Sequence, residues 1–449
     1  MRYFRSAALF RRRALAADVS VDLVVKGRLF LPDGRLERGG FALREGRIAE
    51  VGPHLTAARV LDFGDHLVTP GAIDPHVHFR DPGNPEKEDF ASGTRAAALG
   101  GVTTVLDMPN TSPPTFTRDA LDQKLATARV KACVDFGIHL GLDAAGESLA
   151  LLSEATSMKV YLGASTGNLL VRDMALVRRA LVAAATAGRT VAFHTESQGC
   201  LDRHAHLADD SYPSHARARP PVCEAEAIDA LRAAAAGTGA RVHVAHLSTA
   251  LGVKALEGSG FTAEACPHHL LFTEDRLPEG GAFKMNPPLR GAADLRSLWA
   301  ALADGRIQCL ASDHAPHTPA EKATLHAREC PAGVPGVQTL LPVLLPLAER
   351  TGLARLLDAS VAAARIFQLP GKGALATGHD ADFAVYDFDA LRPVRKEEMA
   401  SRAGWTPFEG LPACFPTHVA VRGEAVVEEG RFLGRAGSGA YVRPAGRKP

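Results

Sequence analysis

A chain of 449 residues exceeds what one hydrophobic core usually serves, so a large domain with a smaller companion is expected. Hydrophobic residues at 46% and charged ones at 22% are ordinary for a globular protein in water, and no apolar run reaches the roughly 20 residues that span a bilayer. A net charge of +1 supplies no strong field, which excludes nucleic acid and membrane surfaces as partners held by bulk electrostatics.

Residues 1–19 read as a basic arm. The first seventeen carry five arginines and no acid, which fits a targeting presequence, a free arm or a start set too far upstream. From residue 20 to 70, short alternating runs such as 22–26, 41–44 and 47–51 are punctuated by Gly27, Gly46 and Gly52, the pattern of antiparallel strands. The pattern returns over residues 372–437, in the runs 382–386, 418–422 and 424–428. The two ends are expected to pair into one small β-sandwich domain, with 438–449 as a tail.

Over residues 71–371 the texture changes to apolar strand-like runs alternating with Ala- and Leu-rich helical patterns. After the run that opens at Gly71 come 102–107, 134–140, 158–162, 190–194, 241–246, 261–265 and 308–312, eight in all, with helices expected at 174–187 and 224–236. Eight strands alternating with helices imply an α/β fold, a (β/α)8 TIM-type barrel whose site lies at the C-terminal strand ends. The rival, a doubly wound open sheet, usually carries a glycine-rich dinucleotide loop, and none is present. Seven scattered cysteines without a Cys-x-x-Cys pair fit a reduced, cytoplasmic setting.

The residues that carry chemistry cluster where such a barrel would put a site. Side chains alternate along a strand, so His76, His78 and Arg80 share one face. Two imidazoles so placed can reach one metal ion, and the Arg80 fork suits a carboxylate. His194 and His246 end the fifth and sixth runs, Lys159 lies within the fourth, and Asp313 follows the eighth. Singly, each histidine is as readily a hydrogen-bonded barrel residue; together they point to a metal centre. A lysine between Met158 and Val160 is costly to bury charged, and its neutral amine can take up carbon dioxide to give an anionic carbamate able to bridge two metals. Asp313 beside a metal can be both ligand and proton shuttle, and His317, four residues on, can face a substrate.

The chain resembles the amidohydrolase superfamily, and within it the dihydroorotases, from about Val21 to Gly434. The carrying motifs are Asp-Pro-His-Val-His-Phe-Arg-Asp-Pro-Gly83, Gly-Gly-Val-Thr-Thr-Val-Leu-Asp-Met-Pro-Asn-Thr111, His-Leu-Ser-Thr249, Pro-His-His-Leu270, Asn-Pro-Pro-Leu-Arg290 and Ser-Asp-His-Ala-Pro-His317. The resemblance implies two divalent metals, zinc in most members. His76, His78 and Asp313 would hold the first, His194 and His246 the second, and carboxylated Lys159 would bridge them. Arg80 and Asn110 would bind the substrate carboxylate, helped by Asn286, His317 and the backbone near Ala332 and Gly333, with His78 also facing substrate.

The implied reaction is the reversible cyclisation of N-carbamoyl-L-aspartate to L-dihydroorotate in pyrimidine biosynthesis. A hydroxide held between the metals attacks the ring carbonyl, and Asp313 is the general acid and base. A homo-oligomer, dimer or tetramer, and association with aspartate transcarbamoylase are further implications. The chain departs from the commonest bacterial pattern in using Lys159 where many members place an aspartate, and in Gln338 where Glu is frequent. Allantoinases and dihydropyrimidinases share the fold, the metals and the lysine, so they remain alternatives, as does a non-catalytic scaffold subunit.

Overall fold

The computed structural model describes residues 21–444 except 166 and 168, so the basic arm lies outside the described residues. The barrel is built from strands Ala72–Val77, Val102–Asp107, Asp135–Gly141, Ser157–Tyr161, Thr190–His194, Arg241–Val244, Thr262–Ala265 and Cys309–Leu310. They lie side by side in chain order, each parallel to the next. A bridge between Val77 and His314, with the His78 N–H donating to the His314 carbonyl at 2.8 Å, closes the ring.

All eight expected strands are present, but the last keeps only two residues. Its continuation is captured by the first strand, because the Ser312 N–H and hydroxyl both donate to the buried Asp74 carboxylate instead of extending the ladder. The helix Met174–Ala187 has the expected bounds, capped by the Asp173 side chain and ended by Gly188 at φ 68°. The helix expected from residue 224 starts earlier, at Pro221, since proline fits the first helical turn, where its missing N–H costs nothing.

Both chain ends build one continuous eight-stranded sheet. Strands Leu23–Phe30, Leu36–Arg44, Arg47–Gly52 and Val60–Pro70 come from the N-terminal side, and Phe383–Tyr386, Pro416–Val421, Glu424–Glu428 and Arg431–Phe432 from the other. The antiparallel pairing of Val60–Pro70 with Phe383–Tyr386 joins the two halves. One pairing departs from the antiparallel expectation. Leu23–Phe30 runs parallel to Val60–Pro70, because the hairpin of the second and third strands is inserted between them in sequence and occupies the opposite edge. Phe41, Leu43, Val25 and Phe383 fill the core of this sheet.

The long strand Val60–Pro70 passes through Gly71 directly into the first barrel strand, so the sheet fixes where the His-x-His segment begins. Gly71 admits no side chain, since a Cβ there would lie 2.1 Å from the Thr103 hydroxyl. Sheet and barrel are also joined through Lys372, whose buried Nζ meets Asp135 at 2.5 Å, Asp382 at 2.7 Å and Asp380 at 2.9 Å.

The cysteines correct one expectation. Cys200 and Cys223 form a disulfide, while Cys133, Cys266, Cys309, Cys330 and Cys414 are free and buried. Helix Gln198–His204 and helix Pro221–Ala235 bring the two Cα atoms to 5.2 Å, an adjacency that a sequence separation of 23 does not reveal. Among the described residues no helix is long and apolar enough to cross a membrane.

Candidate metal centre

At the C-terminal ends of the strands a small cavity of about 20 Å³ gathers most of the residues singled out in the sequence. His76, His78, His194, His246 and Asp313 line it, and so do Arg80, Asn110, Asn286, Ala332 and Gly333. Lys159 lies fully buried on the fourth strand, two residues before Tyr161, which the period of a strand puts on the same face. His317 sits behind Arg80 rather than on the cavity wall, its Nε2 3.3 Å from Arg80 Nη2 and 3.2 Å from the Ala332 carbonyl.

The chain leaves its strands abruptly here. Arg80, His246 and Asp313 have φ of 60°, 34° and 46°, a left-handed conformation that side-chain-bearing residues seldom adopt. Such strain persists only where the surroundings over-determine it, and it concentrates at functional sites.

The protons in the first group follow from its hydrogen bonds. Burial, reinforced by Lys159, lowers the His76 pKa to about 4, and burial with Arg80 lowers that of His78 well below its ordinary value, so both rings are neutral at pH 7. Each then has one N–H to give. His76 Nδ1 faces the Glu264 carboxylate at 2.5 Å and His78 Nδ1 faces Asn110 Oδ1 at 2.6 Å, and both oxygens only accept. The Nε2 lone pairs are therefore turned inward, where they meet Asp313 Oδ1 at 3.3 and 3.1 Å. Three acceptors converge with no hydrogen between them. One ligand atom from each of His76, His78 and Asp313 lies within 4.8 Å of the others, and a cation is the group that satisfies all three.

A second pair stands beside it. His194 and His246 bring Nδ1 and Nε2 to 3.0 Å, and His194 Nε2 lies 3.0 Å from Glu196, itself paired with Arg219. The His76 and His246 rings are 5.2 Å apart, so the two pairs are contiguous. Lys159 Nζ has no hydrogen-bond partner among the described residues, and burial lowers its pKa to about 8, partly opposed by Glu264 and Asp313. A buried amine without a hydrogen-bond partner is costly to keep charged. The Asp313 carboxyl is raised by burial, against the pull of His76 and Lys159.

Two contributors escaped the sequence reading. Glu264, on the seventh strand, holds His76, accepts the His246 N–H at 3.1 Å and meets His243 Nε2 at 2.9 Å. The signal was a lone acid between two alanines in an apolar run. Tyr161 lines the cavity, and its buried hydroxyl has no partner among the described residues. Glu264→Gln is expected to weaken metal binding by about 10- to 100-fold, because an amide no longer fixes the His76 tautomer by charge. Competition against a chelator measures this, and an unchanged affinity would remove Glu264 from the account.

Comparison with known proteins agrees with the geometry. Residues 67–426 match the amidohydrolase family. A dihydroorotase of Halobacterium salinarum is 43% identical over 356 residues, covering 78% of this chain and 83% of the relative. An allantoinase of Rubrobacter xylanophilus is 36% identical over 397 residues, covering 82% and 86%. The solved L-hydantoinase (dihydropyrimidinase) from Arthrobacter aurescens superposes with a TM-score of 0.89 at 28% identity, covering 94% of this chain and all of that one. With eight parallel strands, a family match over most of its length and inward-facing acceptors at the strand ends, the chain belongs to the amidohydrolase family.

Proposed function

We propose that the protein is a dihydroorotase, interconverting N-carbamoyl-L-aspartate and L-dihydroorotate. The observation that carries this reading is Arg80. Its guanidinium lines the cavity at 5% exposure, and no carboxylate lies within ion-pairing distance of it among the described residues. A buried guanidinium with no carboxylate in contact, drawn only at longer range by Asp313 and Asp107, has room for an anionic ligand, and its planar fork matches a carboxylate. Dihydroorotate has a carboxylate on its ring; the rings of allantoin and dihydrouracil do not. The dihydroorotase relative, at 43% identity against 36% for the allantoinase, supports the same choice.

In this reading His76, His78 and Asp313 would hold one divalent cation, and His194 and His246 a second. The neutral Lys159 amine would add to carbon dioxide, forming an N–C bond and releasing a proton, and the carbamate so formed would supply an anionic donor to the metal centre. Zinc suits such nitrogen and oxygen donors. When bound, the cations supply Lewis-acid activation of water and of the ring carbonyl.

The remaining work falls to the chain. Arg80 and Asn110 hold the carboxylate and so orient the ring. Asn286 is fixed by His215, whose Nε2 lies 2.8 Å from Asn286 Oδ1, and offers its amide to the cavity. His317, placed between Arg80 and the Ala332 carbonyl, sets the angle of the guanidinium. Asp313 accepts the proton of the attacking water and hands it to the leaving ring nitrogen, and the reverse transfer closes the ring.

Arg80→Met is expected to raise the KM for L-dihydroorotate by about 10- to 100-fold, with kcat changed much less, because a charge-assisted pair to the ground-state carboxylate is lost. Steady-state kinetics on the variant decide the matter, and an unchanged KM sinks the carboxylate role.

A further inference from the structure

A second group of donors lies on the same rim and takes no part in the chemistry above. The seventh barrel strand ends at Ala265, Cys266 caps the short helix Pro267–Leu271, and the tight turn folds Cys266, His268 and His269 together. One ligand atom from each lies within 4.8 Å of the other two, and all three residues are buried.

The imidazoles show what is missing. His269 Nε2 lies 3.1 Å from the Pro287 carbonyl, which can only accept, so the proton is on Nε2 and the Nδ1 lone pair is left exposed to its surroundings. That Nδ1 has no hydrogen-bond partner among the described residues. Donation of the distal N–H to a backbone carbonyl is the usual support of a metal-binding histidine. His268, 1% exposed, has neither ring nitrogen partnered, and its ring centroid lies 4.3 Å from that of His269. Three unpartnered nitrogens beside one thiol are too many to leave dry in a folded core, and an ion or an ordered water must account for them.

We infer that Cys266, His268 and His269 form a further cation site, made of one thiolate and two imidazole nitrogens, which takes zinc or a similarly soft divalent ion. Sulfur and imidazole together select such ions over magnesium or calcium. The charge balance favours a cation over a bare thiolate. Burial first, and then Asp313, Glu264 and Asp74 against the pull of Lys159, hold the Cys266 thiol well above its ordinary range and keep it protonated when it is alone. On binding, the S–H bond breaks, its electron pair goes to the metal and the proton leaves to solvent.

Bond lengths of about 2.1 to 2.3 Å put donors in a tetrahedral site about 3.5 Å apart, so donors already within 4.8 Å of one another need only a small inward closure. Through His269 and the Pro287 carbonyl the ion would stiffen the segment that presents Asn286 to the cavity. Its place in the molecule is structural.

Cobalt distinguishes this site from the catalytic one, because His76, His78, Asp313, His194, His246 and Lys159 contain no sulfur. The full-length protein, stripped with a chelator and reloaded with Co2+, is examined by absorption and by elemental metal analysis. A near-ultraviolet thiolate-to-cobalt band is expected, accompanied by one metal equivalent beyond those of the catalytic centre. Cys266→Ser should remove both the band and that equivalent, and His268→Gln should raise the cobalt concentration for half-saturation of the band at least tenfold. The His268 variant decides the question should Cys266→Ser not fold. Absence of the band from the saturated parent protein overturns the proposal and assigns the nitrogens to water. Persistence of the band in Cys266→Ser overturns it equally.

Discussion

Asp313→Asn is expected to lower kcat by about 10³-fold or more while leaving the fold intact. The asparagine keeps the size of the side chain and tolerates φ of 46°, where alanine would be strained, so the variant changes charge and basicity with little change in backbone energy. It removes an anion that faces His76 Nε2 at 3.3 Å and His78 Nε2 at 3.1 Å, and with it the group proposed to shuttle the proton. General acid–base transfer alone is worth about 10² to 10⁴ in rate, and weaker metal retention adds to the loss. Turnover measured alongside metal content and the thermal midpoint separates these effects. Activity within tenfold of the parent would move the proton transfer to another residue.

Lys159→Met is expected to act in opposite directions on stability and activity. In the metal-free protein the lysine amine is buried without a hydrogen-bond partner, a condition that costs about 1 to 3 kcal/mol, and methionine fills similar space without that cost. The metal-free melting temperature should therefore stay level or rise. Catalysis should fall by about 10³-fold or more, because the residue proposed to become the bridging anion is gone. Short carboxylic acids added to Lys159→Ala, where the space is open, should restore part of the activity by supplying the missing oxygens. A large drop in the metal-free melting temperature of Lys159→Met would instead mark the lysine as a structural cation.

The barrel and most of its site could be read from sequence for a local reason. Strand periodicity and ligand chemistry are both written in consecutive residues, so His76 on the first strand and His194 at a strand end follow from spacing, whereas His78 and Arg80 lie beyond the strand's end at Val77, with Arg80 at φ 60°, and owe their places in the cavity to the turn. What was hidden depends on neighbours distant in sequence. Nothing near Glu264 announces that it will fix the His76 tautomer across the barrel. The parallel pairing of Leu23–Phe30 with Val60–Pro70 depends on where an inserted hairpin goes, and the Cys200–Cys223 bond on how two helices cross. The eighth strand is short because Asp74, far upstream, takes the hydrogen bonds of Ser312. His317 reads as a substrate contact in the motif, yet it reaches the cavity through Arg80.

The segment around Gln338 shows the same dependence. Its side chain accepts the Ala400 N–H at 2.8 Å and donates to the Glu398 carbonyl at 3.0 Å, so it fastens the 396–406 stretch of the C-terminal part to the barrel rim. That stretch in turn presents the Trp405 indole N–H to the His317 carbonyl at 2.8 Å. Gln338 thus serves here as a hydrogen-bonding tie between the rim and the C-terminal part.

The proposed function rests on buried Arg80, with no carboxylate in contact among the described residues, selecting a ring that bears a carboxylate for hydrolysis at a binuclear centre. The most direct test is turnover of L-dihydroorotate by the purified, zinc-supplemented protein, with allantoin and dihydrouracil assayed beside it. Hydrolysis of L-dihydroorotate alone, reversed to cyclisation of N-carbamoyl-L-aspartate at lower pH, is the predicted result. Cleavage of allantoin or dihydrouracil in its place would contradict the claim.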